Sequence, residues 1–147
     1  MPTAEISFYI HQSPERTFAA LADHEHFFRG GNIKLCKVVQ PGTSERNGLG
    51  AVREVHNGGA RFLEEVTHFD RPRRFDYLVT KCSLPLRHEG GKIEFTPRGE
   101  GTEIHWTSRF TVAIPLLGAA AGELFRLILV AEVTRMLHQT KRELEQA

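Results

Sequence analysis

"FTVAIPLLGAAAGELFRLILVA", residues 110–131, is the most membrane-like window of a 147-residue chain, and how it is read decides the fold. A spanning helix needs about 20 predominantly apolar residues, and charges within it are costly. Pro115, Glu123 and Arg126 interrupt this window, so the expectation is a buried helix with no membrane insertion. The helix is predicted from about Leu116 to Glu145. Its tail, "HQTKRELEQ", is amphipathic, whereas Leu124, Phe125, Leu127, Ile128, Leu129, Val130 and Val133 point nearly all round the axis. That pattern predicts a helix buried on most sides. A curved sheet would grip one side, and an oligomer interface would cover the side facing away.

Working outward, the stretch before this helix, "TEIHWTSRFTV", is the cleanest alternation in the chain. It sets Ile104, Trp106, Ser108, Phe110 and Val112 against Glu103, His105, Thr107, Arg109 and Thr111, a half-buried strand. Further upstream, strand-like runs follow one another between turn signals, among them Pro41–Gly42, Asn57–Gly58–Gly59 and Asp70–Arg71–Pro72. Short connections of this kind predict an antiparallel sheet. "ISFYIH" (6–11) alternates as a first strand, Ser13–Pro14 opens a helix over "PERTFAALAD", and "HEHFF" makes a second short turn before Gly30–Gly31. In "SLPLRHEGGKIEF" (83–95), "EGG" reads as a turn or bulge entering a strand whose Ile93 and Phe95 are core. No repeat or linker appears, so residues 1–147 are expected to form one domain.

With 40% apolar and 25% charged residues the composition is that of an ordinary globular chain. Nineteen basic against 18 acidic residues give a net charge of +1, which offers no broad footprint for nucleic acid or an anionic membrane. "MPTAEISFYI" has no basic stretch followed by an apolar one, so a cytoplasmic location is expected. Cys36 and Cys82 lack CxxC spacing and are expected as free thiols.

The order of one strand, two short helices, six strands and a long helix resembles the helix-grip fold of START-like (SRPBCC) proteins, in particular the polyketide cyclase/dehydrase branch. The motifs that carry the resemblance span the chain: "SPERTFAALAD", "GLGAVREV", "EEVTHFDRPRRFDY", "LPLRHEGGKIEF", "GTEIHWTSRF" and "IPLLG". It implies an α+β architecture, a curved antiparallel sheet of about seven strands wrapped on the C-terminal helix. It also implies a cavity between the two that takes hydrophobic small molecules. The family commonly has a tryptophan near the end of the second short helix, where this chain has Phe27 and Phe28.

Matching the family's Glu-x-Val pattern to Glu64 and Val66 puts Phe62, Glu64, Val66 and His68 on the cavity face. A carboxylate in an apolar cavity has its charged form disfavoured, which moves it toward acid–base work. A structural ion pair with Arg53 or another basic group on a neighbouring strand is the competing reading of Glu64, and modestly the stronger one, because unpaired buried carboxylates are rare. Tyr77 offers a hydroxyl to a ligand or, equally, to the core. The resemblance places His88 near the cavity rim, where a neutral imidazole suits proton transfer; a hairpin-shoulder histidine explains it as well. Trp106 and Phe110 are core or a ligand-stacking wall, and Leu124, Phe125 and Ile128 are the helix's contribution to that wall.

No metal is expected, since "DHEHF" supplies His24 and His26 without a second ligand cluster. "NGLGAV" opens onto a strand and is no nucleotide fingerprint, "RPRR" (71–74) reads as a solvated loop, and no nucleophile elbow is present. Three functions remain open. The first is binding of a lipid-, polyketide- or aromatic-like molecule. The second is a cofactor-independent cyclase or dehydratase using Glu64, Tyr77 and His88. The third is an assembly role, a homodimer burying Val130, Val133 or Leu137.

Overall fold

A computed structural model describes residues 2–146. The elements run β1 (Thr3–Ile10), α1 (Pro14–Ala22), α2 (His24–Phe27), β2 (Ile33–Gln40), β3 (Val52–Asn57), β4 (Ala60–Asp70), β5 (Arg74–Cys82), β6 (Leu86–Arg98), β7 (Gly101–Val112) and α3 (Gly118–Gln146). The strands form one antiparallel sheet in the order β1-β7-β6-β5-β4-β3-β2. This is the expected α+β helix-grip architecture. Ser13 caps α1, its side chain accepting the Arg16 amide at 3.3 Å, and Pro14 takes the first turn, where no amide is needed.

Strand parity sorts the concave face into rows that cross the sheet. Phe69, Phe75, Ile93, Trp106 and Ile6 pair strand to strand in one such row. With Phe18, Leu21, Phe27, Phe95 and Ile104 they make the core, in which Phe18 meets Phe69, Phe75 and Phe95 edge-on at 5.0–5.4 Å. Such T-shaped contacts add to plain burial. The next row, Val66, Tyr77, Gly91, Ser108 and Ala4, holds one large ring and four smaller residues.

Three departures from the expected pattern have physical causes. The β4–β5 register shifts between Val66 and His68, so Thr67 is a bulge and parity reverses. His68 is thereby exposed and turned off the cavity face, and Phe69 takes the inner position instead. The second departure is α3, which packs on β1, β7 and α1, not on the whole sheet. Its second half is anchored by Val133, Met136, Leu137 and Thr140, all buried. Its first half is not buried on most sides: Leu124, Leu127 and Ile128 are 60%, 54% and 57% exposed. The helix there lies over the edge of an open space rather than over packed side chains. The third correction follows: Val133 and Leu137, expected in an assembly interface, are buried within their own chain.

Cys36 and Cys82 are free thiols. Among the described residues no helix is long and apolar enough to cross a membrane.

One-sided burial of α3 is testable by denaturant unfolding. Leu137→Ala is expected to lower stability by about 3 kcal/mol through the cavity it leaves. Leu127→Ala, on the exposed face, is expected to cost less than about 1 kcal/mol.

Candidate functional site

Between the first half of α3 and the concave surface of β4–β7 lies a cavity of about 300 Å³. Its walls are apolar: Phe62 and Val79 from β4 and β5, Leu86 and Phe110 from β6 and β7, and Phe125, Ile128 and Leu129 from α3. Phe110 and Phe125 close one side ring edge to ring face at 4.9 Å. Four polar side chains, Glu64, Tyr77, His88 and Ser108, reach the same space from the sheet, and Asn57 and Glu132 join them.

The cavity exists because the sheet splays there. The β5–β6 ladder ends at the Tyr77–Gly91 pair. Beyond it β6 bulges between His88 and Gly90, where Gly90 adopts φ +132°. The bulge puts His88 inside, while Glu89 lies in a polar groove on the outer face with Arg109 and Lys92. With no backbone partner on β6, the Val79 amide donates to His88 Nδ1 at 3.0 Å. An imidazole thus substitutes for a missing ladder bond, meeting the demand that a buried amide be paired.

That bond assigns the ring's proton. Nδ1 accepts, so Nε2 carries the hydrogen and donates it to Ser108 Oγ at 3.0 Å. Burial pushes the His88 pKa down to about 4, only weakly opposed by the Glu89 carboxylate. Its ring stacks on Tyr77, centroids 5.3 Å apart and planes 14° from parallel. The Tyr77 oxygen accepts the Trp106 indole hydrogen at 2.9 Å. Burial foremost, then the Glu64 charge, pushes the Tyr77 hydroxyl up to about 12, which keeps it protonated.

Tyr77 reaches this position because Gly91, its cross-strand neighbour, has no side chain. A Cβ on Gly91 would stand 2.1 Å from the Tyr77 ring. The second glycine of "EGG" is therefore a seat for the tyrosine, and the first resumes the ladder opposite Arg109 after the bulged Glu89.

Glu64 pairs with Arg53, its partner across β3 and β4, and both are buried. Phe28 lies over the guanidinium, 4.2 Å from ring centroid to Cζ. Phe27 turns the other way, toward Trp106 at 5.8 Å. Neither phenylalanine is among the residues lining the cavity. His24, beneath them, is 1% exposed with neither ring nitrogen hydrogen-bonded, and burial followed by the Arg53 charge holds its pKa well below the usual value. His26 points away to Glu143, at 3.4 Å, so the two histidines of "DHEHF" diverge. Arg71, Arg73 and Arg74 of "RPRR" pair with Glu45, Asp70 and Asp76.

Of the residues singled out in the sequence, Phe62, Glu64, Tyr77, His88, Phe110, Phe125 and Ile128 line this one cavity. Val66 and Trp106 are buried in the core instead, and Leu124 lines an adjoining apolar groove with Ile114 that shares Leu84, Leu86, Phe125 and Ile128 with the cavity. Ser108 and Gly91 were missed as site residues. Ser108 was visible as a hydroxyl between Trp106 and Phe110 on the apolar face of its strand, whereas Gly91's role needs the register of two strands.

Gly91→Ala is expected to cost about 1–3 kcal/mol by overpacking, although alanine ordinarily suits a strand better than glycine does. Displacing Tyr77 also removes the indole's partner, so fluorescence of Trp106, the only tryptophan, should shift alongside the drop in denaturation midpoint. The histidines give a pH signature. A group with a depressed folded pKa contributes stability above its unfolded value, about 6.5 for histidine, and loses it as pH falls toward the folded value. For His88 that window runs from 6.5 down to about 4. Unfolding free energy should fall between about pH 6.5 and 5 by about 1.4 kcal/mol per pH unit for each such histidine. Denaturation at both pH values should show His88→Gln with a shallower slope than the wild type.

Residues 1–145 match the protein family described as polyketide cyclase / dehydrase and lipid transport. Among solved structures, a protein from Thermus thermophilus superposes with a TM-score of 0.78 at 20% identity, covering 99% of this chain and 98% of that one. A START superfamily protein from Mycobacterium smegmatis gives 0.77 at 14% identity over 98% and 97% of the two chains. XoxI from Bacillus cereus gives 0.72 at 20% identity, covering 99% of each. These likenesses show the fold alone. No curated protein matches the sequence. The family model spans nearly the whole chain, and the chain belongs to the polyketide cyclase/dehydrase and lipid transport family.

Proposed function

We propose that this protein binds a hydrophobic small molecule in the cavity between its sheet and the first half of α3. The observation that carries the reading is the cavity itself: about 300 Å³, walled by aliphatic and phenyl groups, with its polar side chains drawn mainly from the sheet. Small-molecule sites have this composition, and this volume is at the lower end of their range. Family membership supports the same reading.

A catalytic role has one observation in its favour, that Glu64, Tyr77 and His88 line the same space. Each is already engaged. Both nitrogens of His88 are hydrogen-bonded within the protein and its pKa is about 4. Glu64 is paired with Arg53, and Tyr77 keeps its proton to about pH 12. General acid–base catalysis works best with a group poised near the operating pH, and none of the three is free to act in that way. Binding therefore draws the stronger support.

The test is uptake of anilinonaphthalene sulfonate, whose emission rises in apolar surroundings. The wild type should bind it saturably and gain thermal stability, as any ligand restricted to the folded state produces. Val79→Phe, which fills the cavity, should lose both responses while remaining folded by circular dichroism. Saturable binding that survives Val79→Phe unchanged would place the dye elsewhere and reject the proposal.

A further inference from the structure

Three groups at the polar end of the cavity, Tyr77, His88 and Ser108, and the Trp106 indole in the core behind them can be counted as hydrogens and lone pairs. The Trp106 indole is a donor only, and it gives its hydrogen to the Tyr77 oxygen. His88 Nε2 is likewise a donor, because Nδ1 is occupied by the Val79 amide, and it gives its hydrogen to Ser108 Oγ. Two hydroxyls thus each receive a hydrogen from a fixed donor, and each still has its own to give. Ser108 and Tyr77 face each other across Gly91 in one row of the sheet, so one hydroxyl can donate to the other. The second has no such outlet. Two acceptor-only side chains line the cavity, Glu64 from the sheet and Glu132 from α3; the bonded oxygen of the first is turned to Arg53 and that of the second to Arg135. Among the described residues no hydrogen bond joins either of them to the two hydroxyls.

One O–H is therefore left pointing into the cavity, and both hydroxyl residues line it. We propose that the cavity selects ligands bearing a hydrogen-bond-accepting oxygen, a ketone, aldehyde or ester carbonyl, on an apolar body. The inference rests on the binding function proposed above and adds its selectivity. An all-carbon ligand of the same shape fills the space but strips solvent from the hydroxyl and leaves it unpaired. That arrangement is penalised more than a hydrogen bond is rewarded. His88 and Trp106 act as positioning residues: by saturating one lone pair on each oxygen they turn the hydroxyls into donors.

Acetylnaphthalene and isopropenylnaphthalene test this, since they differ in little more than an oxygen against a methylene group. Calorimetric titration of the wild type should give about tenfold tighter binding for the acetyl compound. In Tyr77→Phe/Ser108→Ala, which removes both hydroxyls, the two affinities should come within about twofold of each other. Equal affinities in the wild type overturn the selectivity and leave the binding function standing. A preference that persists in the folded double variant also overturns it. Failure of both compounds to bind the wild type overturns both proposals. Should the double variant not fold, the wild-type comparison decides alone.

Discussion

A guanidinium with 1% of its surface exposed is the constraint around which the rest of the site is arranged. Taking a charge out of water costs several kcal/mol even after relaxation, and only a well-placed counter-charge offsets it. Arg53 has that counter-charge in Glu64, one strand away, and a phenyl face in Phe28 above it. The pairing fixes the relation of β3 to β4 and ties the end of α2 to the sheet. It also fixes an ion pair beside the cavity, which leaves Glu64 engaged with the guanidinium. The charge propagates: it helps keep His24 neutral, and its partner helps keep Tyr77 protonated. A buried ion pair adds little net stability compared with apolar residues of the same volume, but removal of either partner leaves the other stranded. Its contribution is to make this corner hard to rearrange.

Much of this could be read in the sequence because strands obey a period of two. That period sorts "TEIHWTSRFTV" into faces without error and brings Phe62, Glu64, Tyr77 and Phe110 to one side. The Arg53–Glu64 pairing was legible from chemistry alone, since a buried carboxylate demands a cation. Parity fails at bulges, and bulges leave a weak signal. Thr67 carries none, so His68 came out on the wrong face. "EGG" carries a clear one, and the bulge lies there, with His88 inside and Glu89 on the outer face. The burial of α3 was misjudged for a different reason. All-round apolarity says that a helix wants cover, but not whether the sheet beneath it is filled. Leu124, Leu127 and Ile128 border an open space, a property of sheet curvature that no local pattern encodes. The Tyr77–Gly91 contact is likewise a matter of register between two strands, which no single stretch of sequence states.

The fold and the side chains contribute different things. Wrapping a curved sheet round one helix leaves an apolar space, and that much follows from the architecture. The side chains add the polar end, where Trp106 and His88 each commit their only free hydrogen to a neighbouring hydroxyl. Two fixed donors of this kind orient two rotatable groups, so the cavity presents a defined hydrogen-bonding face before anything enters it. Preorganisation of this sort lowers the entropy lost on binding.

The splayed end of the β5–β6 hairpin has a mechanical consequence. Past Tyr77 the two strands share no ladder bonds, and a single imidazole bridges the gap. Spreading a paired sheet breaks a backbone hydrogen bond for every step of separation. Here the first step breaks only the one from Val79 to His88. Parting β5 from β6 at the hairpin tip, where Leu84 and Leu86 meet the cavity wall, therefore costs fewer backbone hydrogen bonds than parting strands that are paired throughout.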